Sequence, residues 1–461
     1  DGMSYPQIQS TSDYLGALKD ADYWQAQPSL DDNQGAILDG PEYLNFMNFE
    51  AAGSAVTYDS NSFAPDSAST ATSISTGHKT YSGSINVDET GTIEYETIAE
   101  QLKAQKGWEI GVITSVNLNH ATPAAFYAHQ ASRSSYYEIG LELVESGFDY
   151  FAGGGLLKPT GSSGDQTDLY ELAQEAGYTV AKTHAEADAI GTNTEKAIII
   201  DEDLADSDAM AYELDRTDDM WALADYVAKG IEVLDNDTGF FMMCEGGKID
   251  WACHANDAAS SIHDTQALAD AVQVAIDFAK EHADETLILV TGDHETGGLT
   301  IGFAGTDYDT YLDLLENQKI SFAKYDSDYV ASYKANKPPF GTVLADIEKL
   351  FGLKAQGEEG DKLVLTAYEM EQLRAAYEKS INGTASSQYD QAEYVLYGTY
   401  EPLSVTITHI INNKSGISFT SYSHTGLPVA VLAEGAGSEM FNGYYDNTDI
   451  YNKLADLLNI A

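Results

Sequence analysis

Three polar clusters in the 461-residue chain carry the residue types that bind metal ions. In the first, Asp250 stands four residues before His254, so that one turn of chain can direct both side chains at one ion. In the second, Asp293 and His294 are adjacent, and in the third, His424 lies in Ser-His-Thr-Gly. Carboxylate and imidazole groups form the ligand set of zinc and similar ions. A lone Asp-His pair is usually an ordinary surface feature, but three such clusters together predict a metal site.

A second signal is the hydroxyl-rich run Pro-Asp-Ser-Ala-Ser-Thr-Ala-Thr, in which the first serine is Ser67. The run predicts a short helix that ends at Gly77, because glycine readily takes the left-handed conformation of a helix end. Ser67 would then lie at or near the helix N-terminus, where free N–H groups and the helix dipole favour an anion. The alternative is that Ser67 is a plain N-cap. The chain has neither a Gly-x-Ser-x-Gly elbow nor a Walker Gly-Lys-Ser/Thr segment.

A third signal is Asn-His-Ala-Thr-Pro, which contains His120 and Thr122 and is followed by Arg133. The chain has only three arginines, so one placed shortly after this motif is a candidate for bidentate phosphate recognition. The alternative is a solvated arginine on a helix.

Predicted strands and helices, which would position these residues, alternate along the first two thirds of the chain. Apolar runs without alternation predict buried parallel strands at Ile110–Thr114, Tyr150–Ala152, Ala197–Ile200, Phe240–Met243 and Leu287–Val290. Helical patterns are predicted at Ile93–Ala104, Tyr136–Glu145, Met220–Leu234 and Ala258–His282. The alternation predicts an α/β fold with a mostly parallel central sheet flanked by helices. In such sheets ligands bind beyond the carboxyl ends of the strands, where two of the polar clusters lie.

The composition and hydrophobic pattern of the sequence change between residues 302 and 402, where tyrosines are frequent and the periodicity is less regular. We predict an inserted subdomain at 302–402, with the catalytic core formed by 1–301 and 403–461. After the insertion, Val405–Ile411 and Pro428–Leu432 are predicted to return to the sheet.

Charge and cysteine content limit the choice of partners. The chain has 74 acidic and 23 basic residues, a formal net charge of −51. Such a surface repels nucleic acid and anionic membranes, and no apolar run reaches transmembrane length. The acidity indicates adaptation to salty water; an acidic secreted protein from an ordinary environment is the alternative. The two cysteines, Cys244 and Cys253, are too few for a disulfide framework.

Taken together, the motifs resemble those of the alkaline phosphatases over almost the whole chain, from Asp1 to about Leu458. The segments that carry the resemblance are Asp1-Gly2-Met3, Asp66-Ser67-Ala68, His120-Ala121-Thr122-Pro123 with Arg133, Glu245 to His254, Asp293-His294 and His424-Thr425-Gly426. Each motif is weak alone, but their order and spacing together are specific. The resemblance implies an inserted crown or large loop, hydrolysis of small phosphomonoesters, and a phosphoserine intermediate at Ser67.

The same resemblance implies two Zn²⁺ ions and one Mg²⁺ ion. Zinc would be bound by Asp250, His254 and His424 in the first site, and by Asp1, Asp293 and His294 in the second. Magnesium would be bound by Asp1, Thr122 and Glu245. Arg133 would bind two phosphate oxygens.

Two positions depart from the commonest bacterial pattern of this family. His120 stands where some members have an aspartate near the magnesium, and Trp251 where some have a lysine on the phosphate side; both are candidate substrate-binding residues. His120 leaves open whether the third site takes magnesium or a further zinc. The family also implies a homodimer and a secreted or periplasmic location. Because its members have a strand before the Asp-Gly-Met motif, we expect residues to be missing before Asp1.

Two other readings of the sequence remain. One is a phosphodiesterase or sulfatase of the same superfamily, although Ser67 does not begin a Cys/Ser-x-Pro-x-Arg segment and diesterases usually carry threonine there. The other is a non-catalytic, acidic, metal-binding secreted protein. Ordered histidines placed after apolar runs favour the enzyme.

Overall fold

The computed structural model describes residues 1–19, 38–383 and 385–460. Within these residues the strands are β1 (Ala51–Val56), β2 (Glu109–Asn117), β3 (Tyr150–Gly154), β4 (Thr179–Ala181), β5 (Ala197–Ile200), β6 (Phe240–Glu245), β7 (Leu287–Thr291), β8 (Glu295–Thr296), β9 (Thr300–Ile301), β10 (Ile417–Ser418), β11 (His424–Thr425), β12 (Val429–Gly435) and β13 (Gly443–Asp446).

The helices of the first two thirds are α1 (Tyr5–Lys19), α2 (Ser67–Thr76), α3 (Ile98–Lys106), α4 (Ala121–Ala124), α5 (Tyr136–Glu145), α6 (Leu169–Glu175), α7 (His184–Asp188), α8 (Leu223–Leu234), α9 (Lys248–His254) and α10 (Ala258–Glu281). Those of the last third are α11 (Phe322–Tyr325), α12 (Ala331–Asn336), α13 (Phe340–Phe351), α14 (Ala367–Asn382), α15 (Gln391–Tyr397), α16 (Pro402–Ser415) and α17 (Thr448–Leu458). None of the helices in the described ranges combines the length and apolar character needed to cross a membrane.

A five-stranded parallel sheet, in the order β4-β5-β3-β2-β6, lies between two layers of helices. Successive residues of its strands face opposite sides, so Ile113 and Ile199 join one apolar core while Val112 and Ile198 join the other. Helices α8 and α10 cover the first face, and α3 and α5 cover the second. The predicted α/β class is confirmed.

The predicted strand Leu287–Val290 exists as part of β7, but its predicted parallel pairing is wrong. β7 belongs to a four-stranded sheet in the order β13-β1-β12-β7, where it pairs antiparallel with β12. Its burial alternates along the chain, as in a strand with one face on a core. The apolar run therefore identified a strand but not the direction of its partner.

The segment Val405–Ile411, predicted to be a strand, is instead part of helix α16. Residues on all sides of this helix are buried, so its sequence lacks the polar stripe that marks a surface helix. Its Val, Ile and Thr residues also favour a strand by propensity. By contrast, the return to a sheet at Pro428–Leu432 is confirmed by β12. Between β9 and β10, which pair with each other, the described segment is largely helical.

Candidate active site

Ser67 is the first residue of α2, and the local sequence explains why the helix begins there. The side chain of Asp66 caps the helix by accepting a hydrogen bond from the Ser69 N–H at 3.1 Å, and Gly77 ends it with a φ of 74°. Ser67 is only 2% exposed. As predicted, its hydroxyl lies at the N-terminus of a ten-residue helix, where the dipole favours negative charge.

The side chains of Asp250, His254 and His424 come together although they lie on separate elements. Asp250 and His254 are one turn apart on α9, and β11 supplies His424. The Nε2 atom of His254 is 3.0 Å from Nε2 of His424 and 3.3 Å from Asp250 Oδ2. His424 Nε2 is 3.5 Å from Asp250 Oδ1. This brings together the first predicted ligand set.

The other ring nitrogens show why this cluster fits a cation. His254 Nδ1 donates to the Tyr422 carbonyl oxygen and His424 Nδ1 donates to that of Pro65, both at 2.6 Å. In the neutral rings both Nε2 atoms therefore carry lone pairs, and these face each other beside a carboxylate. Histidines that bind metals usually donate their second ring N–H in this way. A cation between the two nitrogens would relieve their repulsion.

The electrostatic surroundings of the histidines in the site lead to the same conclusion. Burial alone would lower the pKa of His254, but the charge and hydrogen bond of Asp250 raise it to about 9. The position of His254 Nε2 therefore attracts positive charge, for which a proton and a metal ion compete. Burial lowers the pKa of His294 to about 4, against the opposing charge of Asp293, so this ring is neutral and able to act as a ligand.

The second predicted ligand set also forms one cluster. His294 Nε2 is 3.2 Å from Asp1 Oδ1 and 3.4 Å from Asp293 Oδ2. The Gly2 N–H donates to Asp293 Oδ1 at 3.0 Å, which holds the beginning of the chain against the turn after β7. The serine hydroxyl adjoins this cluster, because Ser67 Oγ is 3.1 Å from His294 Nε2 and donates to Asp1 Oδ1 at 3.4 Å.

The third predicted set is only partly in contact. Thr122 Oγ1 donates to Asp1 Oδ2 at 3.5 Å, whereas in the described structure Glu245 makes no hydrogen bond with either residue. The Thr114 hydroxyl donates to Glu245 Oε2, and Oε1 is buried without a partner. Burial raises the pKa of Glu245 to about 7. A buried, unpaired carboxylate oxygen fits a further cation.

Arg133 lies at the edge of the site rather than in contact with Ser67. Its Nη1 donates to Asp66 Oδ2 at 2.8 Å, and its side chain is about one quarter exposed. Burial, together with the charge of Arg133, lowers the pKa of His120 to about 3. The ring of His120 meets the ring of Trp251 edge-on, with centroids 5.7 Å apart. Arg133 and this aromatic pair thus lie close to the candidate metal-binding clusters.

Several residues that shape the site were missed by sequence reasoning. Asp66 holds Arg133 and caps α2, and its position directly before Ser67 was the available signal. Thr296 donates to Asp250 Oδ1 at 2.5 Å and lies 3.2 Å from His294 Nδ1, so it orients a ligand of each cluster. For this threonine nothing in the local sequence indicated a role.

Comparison with known proteins shows the family to which the chain belongs. Residues 20–460 match the family model described as alkaline phosphatase. Alkaline phosphatase 4 of Bacillus subtilis (strain 168) is 31% identical over 400 residues, which cover 85% of this chain and 76% of that protein. Alkaline phosphatase 3 of the same organism is 32% identical over 396 residues, covering 84% and 75% respectively.

Solved structures give the same result at the level of the fold. A cold-active alkaline phosphatase from the psychrophile Shewanella sp. is 28% identical, with a TM-score of 0.76 over 99% of this chain and 98% of that one. The alkaline phosphatase of the Antarctic bacterium TAB5 is 25% identical, with a TM-score of 0.64 over 100% and 96%. A variant of the TAB5 enzyme is described with Mg bound in its M3 site.

The α/β fold and a buried serine beside histidine–carboxylate clusters define a hydrolase with groups suited to metal binding. The chain belongs to the alkaline phosphatase family. It is an enzyme that hydrolyses phosphate monoesters.

Proposed function

We propose that the enzyme acts through a covalent phosphoserine at Ser67 and depends on metal ions held by the surrounding side chains. The observation that carries this proposal is the contact of Ser67 Oγ with His294 Nε2 at 3.1 Å and with Asp1 Oδ1 at 3.4 Å. One hydroxyl is therefore adjacent to ligand atoms and to the positive end of α2.

The ligand assignments in this proposal are those that the family resemblance implies. In this proposal Asp250, His254 and His424 hold one zinc ion, Asp1, Asp293 and His294 hold a second, and Asp1, Thr122 and Glu245 hold magnesium or a further zinc. When bound, these ions favour the deprotonated serine and stabilise charge on the attacking and leaving oxygens. Within the described residues, two clusters bring three candidate ligand atoms close together: Asp250, His294 and His424, and Asp1, Asp293 and His294.

The reaction has two displacements at phosphorus. Ser67 Oγ, which gives up its proton to solvent, forms a bond to phosphorus, while the bond to the leaving oxygen breaks with its electron pair remaining on that oxygen, which takes a proton from water. Water then attacks the phosphoserine, so that the bond to Oγ breaks, phosphate leaves and Ser67 regains a proton. Arg133 donates hydrogen bonds to two phosphate oxygens, held in place by its ion pair with Asp66. His120 and Trp251 line the pocket beside it.

The proposal also covers the domain organisation, the oligomeric state and the location of the enzyme. We propose that residues 302–402 form a subdomain inserted between the two parts of the catalytic core and contribute to a homodimer. A secreted or periplasmic location fits the named relatives' family, and the net charge of −51 fits a saline environment.

The test is hydrolysis of p-nitrophenyl phosphate at alkaline pH with added Zn²⁺ and Mg²⁺. Turnover should be lost in Ser67→Ala and after EDTA treatment, and it should return when the ions are restored. Ser73→Ala is the matched control, because Ser73 is buried on the same helix and donates only to the Ser69 carbonyl. Mass spectrometry of acid-quenched wild-type enzyme should find phosphate on the peptide that contains Ser67.

Other outcomes have distinct meanings. Activity retained by Ser67→Ala would contradict the covalent route through this serine, and activity that resists EDTA would contradict metal dependence. Faster hydrolysis of bis(p-nitrophenyl) phosphate than of the monoester would assign the enzyme to the diesterases. A folded, zinc-loaded protein that hydrolyses neither compound would identify a metal-binding protein without catalysis.

A further inference from the structure

Lys248 is a fully buried charged residue that the proposed reaction does not use. It is the first residue of α9, and its side chain has no solvent exposure. Burying an ammonium is unfavourable unless other groups compensate for the lost hydration, and an apolar side chain would avoid that cost. The groups that compensate this charge therefore indicate the role of the residue.

Three groups lie against this ammonium, and the carboxylates of Asp264 and Asp215 add attraction from further away. Asp206, in the loop after β5, accepts a hydrogen bond from Lys248 Nζ at 2.5 Å. The ring centroid of Tyr212 lies 3.9 Å from Nζ, and that of Trp251 lies 4.8 Å away. Both distances are within the range of cation–π attraction, which strengthens when the cation is desolvated. The carboxylate thus anchors the ammonium, and the ammonium attracts the two rings.

The ring of Trp251 connects this buried ammonium to the active site. Trp251 is three residues after Lys248, so the two side chains lie on the same side of α9. Its ring meets His120 edge-on, with centroids 5.7 Å apart at 68°. Asp250, next to Trp251 in the chain, belongs to the first ligand cluster. A change in the orientation of Trp251 would therefore alter the wall of the phosphate pocket.

We propose that Lys248 is a positioning residue: held by Asp206, its ammonium fixes the Trp251 ring against His120 and so shapes the phosphate pocket. The inference rests on the proposed function, because it takes Trp251 and His120 as pocket residues. Without the ammonium, Trp251 keeps its bulk but loses the attraction that selects one orientation. Phosphate should then bind less tightly to a pocket whose aromatic wall is no longer fixed.

A double-mutant cycle tests this role. Inorganic phosphate is titrated by calorimetry into the metal-loaded wild type, Lys248→Met, Trp251→Ala and the double variant. Lys248→Met should raise the Kd for phosphate severalfold, up to about thirtyfold, which corresponds to a cation–π attraction of about 2 kcal/mol. In the Trp251→Ala background the same substitution should change the Kd by less than about twofold, because its target is gone.

The matched control is Lys229→Met on α8. Lys229 is also largely buried and paired with a carboxylate, Glu232, at 2.8 Å, but it does not contact Trp251. Phosphate affinity should be unchanged in this variant. Zinc content and thermal midpoint are recorded for every variant, so that lost metal or lost folding is not mistaken for altered binding. If Lys248→Met does not fold, Asp206→Asn replaces it, with a smaller rise in Kd that again disappears in Trp251→Ala.

Two results would overturn the proposal. One is a folded, metal-loaded Lys248→Met, or Asp206→Asn in its place, with wild-type phosphate affinity. The other is an equal rise in Kd with and without Trp251, which would mean that Lys248 acts by another route. Phosphate binding is measured without turnover, so failure of the Ser67 mechanism would appear separately, as an unchanged rate in Ser67→Ala.

Discussion

His129 is held between two carboxylates at the junction of α3, α5 and the segment that precedes α3. Its Nε2 is 3.4 Å from Glu100 Oε2, and its Nδ1 is 3.5 Å from Glu142 Oε2. Burial alone would lower the pKa of His129, but the hydrogen bonds and charges of these carboxylates raise it to about 10. The ring is therefore an imidazolium in the folded protein even at mildly alkaline pH.

This pairing predicts a pH-dependent contribution to stability. The folded pKa of about 10 exceeds the unfolded value of about 6.5, so the stabilisation is complete below pH 6.5 and is lost as pH rises through 10. Denaturant unfolding should show His129→Gln less stable than wild type by on the order of 3 kcal/mol at pH 6, with the gap closing near pH 10.

The control for His129 is His282→Gln, which removes a contact with the exposed Glu285 at 3.4 Å and a stacked contact with Phe278. Exposed ion pairs contribute little, so this variant should differ from the wild type only by a small amount that stays constant across the same pH range. A constant difference between His129→Gln and the wild type from pH 6 to pH 10 would contradict the prediction, because it would assign the effect to packing alone.

At the residue scale, the sequence could predict a group of site residues only where residues that are close in space are also close in the chain. Asp250 with His254, and Asp293 with His294, are close in sequence, so their clustering was visible. Thr296, which donates to Asp250 from 46 residues away, was not visible because its environment exists only after folding. The family resemblance predicted the ligand sets, but it gave no signal for the residues that orient them.

At the scale of elements, the turn after β7 brings two distant chain segments into contact. Gly292 follows this strand, and a Cβ atom built on it would lie 1.8 Å from the carbonyl oxygen of Met3. The beginning of the chain crosses here, which allows the Gly2 N–H to reach the Asp293 carboxylate. Only a residue without a side chain permits this approach.

Gly292→Ala should therefore separate the two segments and disturb the second candidate metal cluster, formed by Asp1, Asp293 and His294. We expect a loss of about 1–3 kcal/mol in unfolding free energy, the usual cost of overpacking, together with reduced zinc content. Gly341→Ala on α13 is the control, because a Cβ there meets no atom within 4 Å and alanine favours helix. Full zinc binding and unchanged stability in Gly292→Ala would contradict this account.

The burial of each element explains why some strand predictions were right and others were wrong. Apolar runs located β2, β3, β5 and β6 of the parallel sheet because helices cover both of its faces, which leaves no polar alternation, but they missed the short, partly exposed edge strand β4. The strand prediction failed at 405–411, because Val-Thr-Ile-Thr-His-Ile-Ile is rich in β-branched residues, which favour strands, while the helix that it forms is buried on all sides and shows no polar stripe. It also could not give the direction of β7, because the partner strand β12 lies about 140 residues further along the chain, as in the pairing of Val431 with Thr291.

At the scale of the whole molecule, the global and local electric fields oppose each other. The chain carries −51, which repels a phosphomonoester as it approaches. In our proposal the active site attracts the same anion through Arg133, the N-terminus of α2 and the bound ions. Long-range repulsion acts across solvent and is screened by salt, whereas attraction at short range in a partly buried site is screened much less.

Moderate salt should therefore raise kcat/KM for p-nitrophenyl phosphate. Between about 10 mM and about 0.1 M NaCl the Debye length falls from about 30 to about 10 Å, which removes much of the repulsion felt by the approaching substrate. We expect a rise of about two- to tenfold in kcat/KM. At saturating substrate kcat should change little with salt, because the encounter of enzyme and substrate no longer limits the rate. The salt dependence of kcat is therefore the internal control for that of kcat/KM. A monotonic fall of kcat/KM with NaCl at constant metal loading would mean that the attraction near Arg133 already extends beyond the protein surface and outweighs the acidic shell.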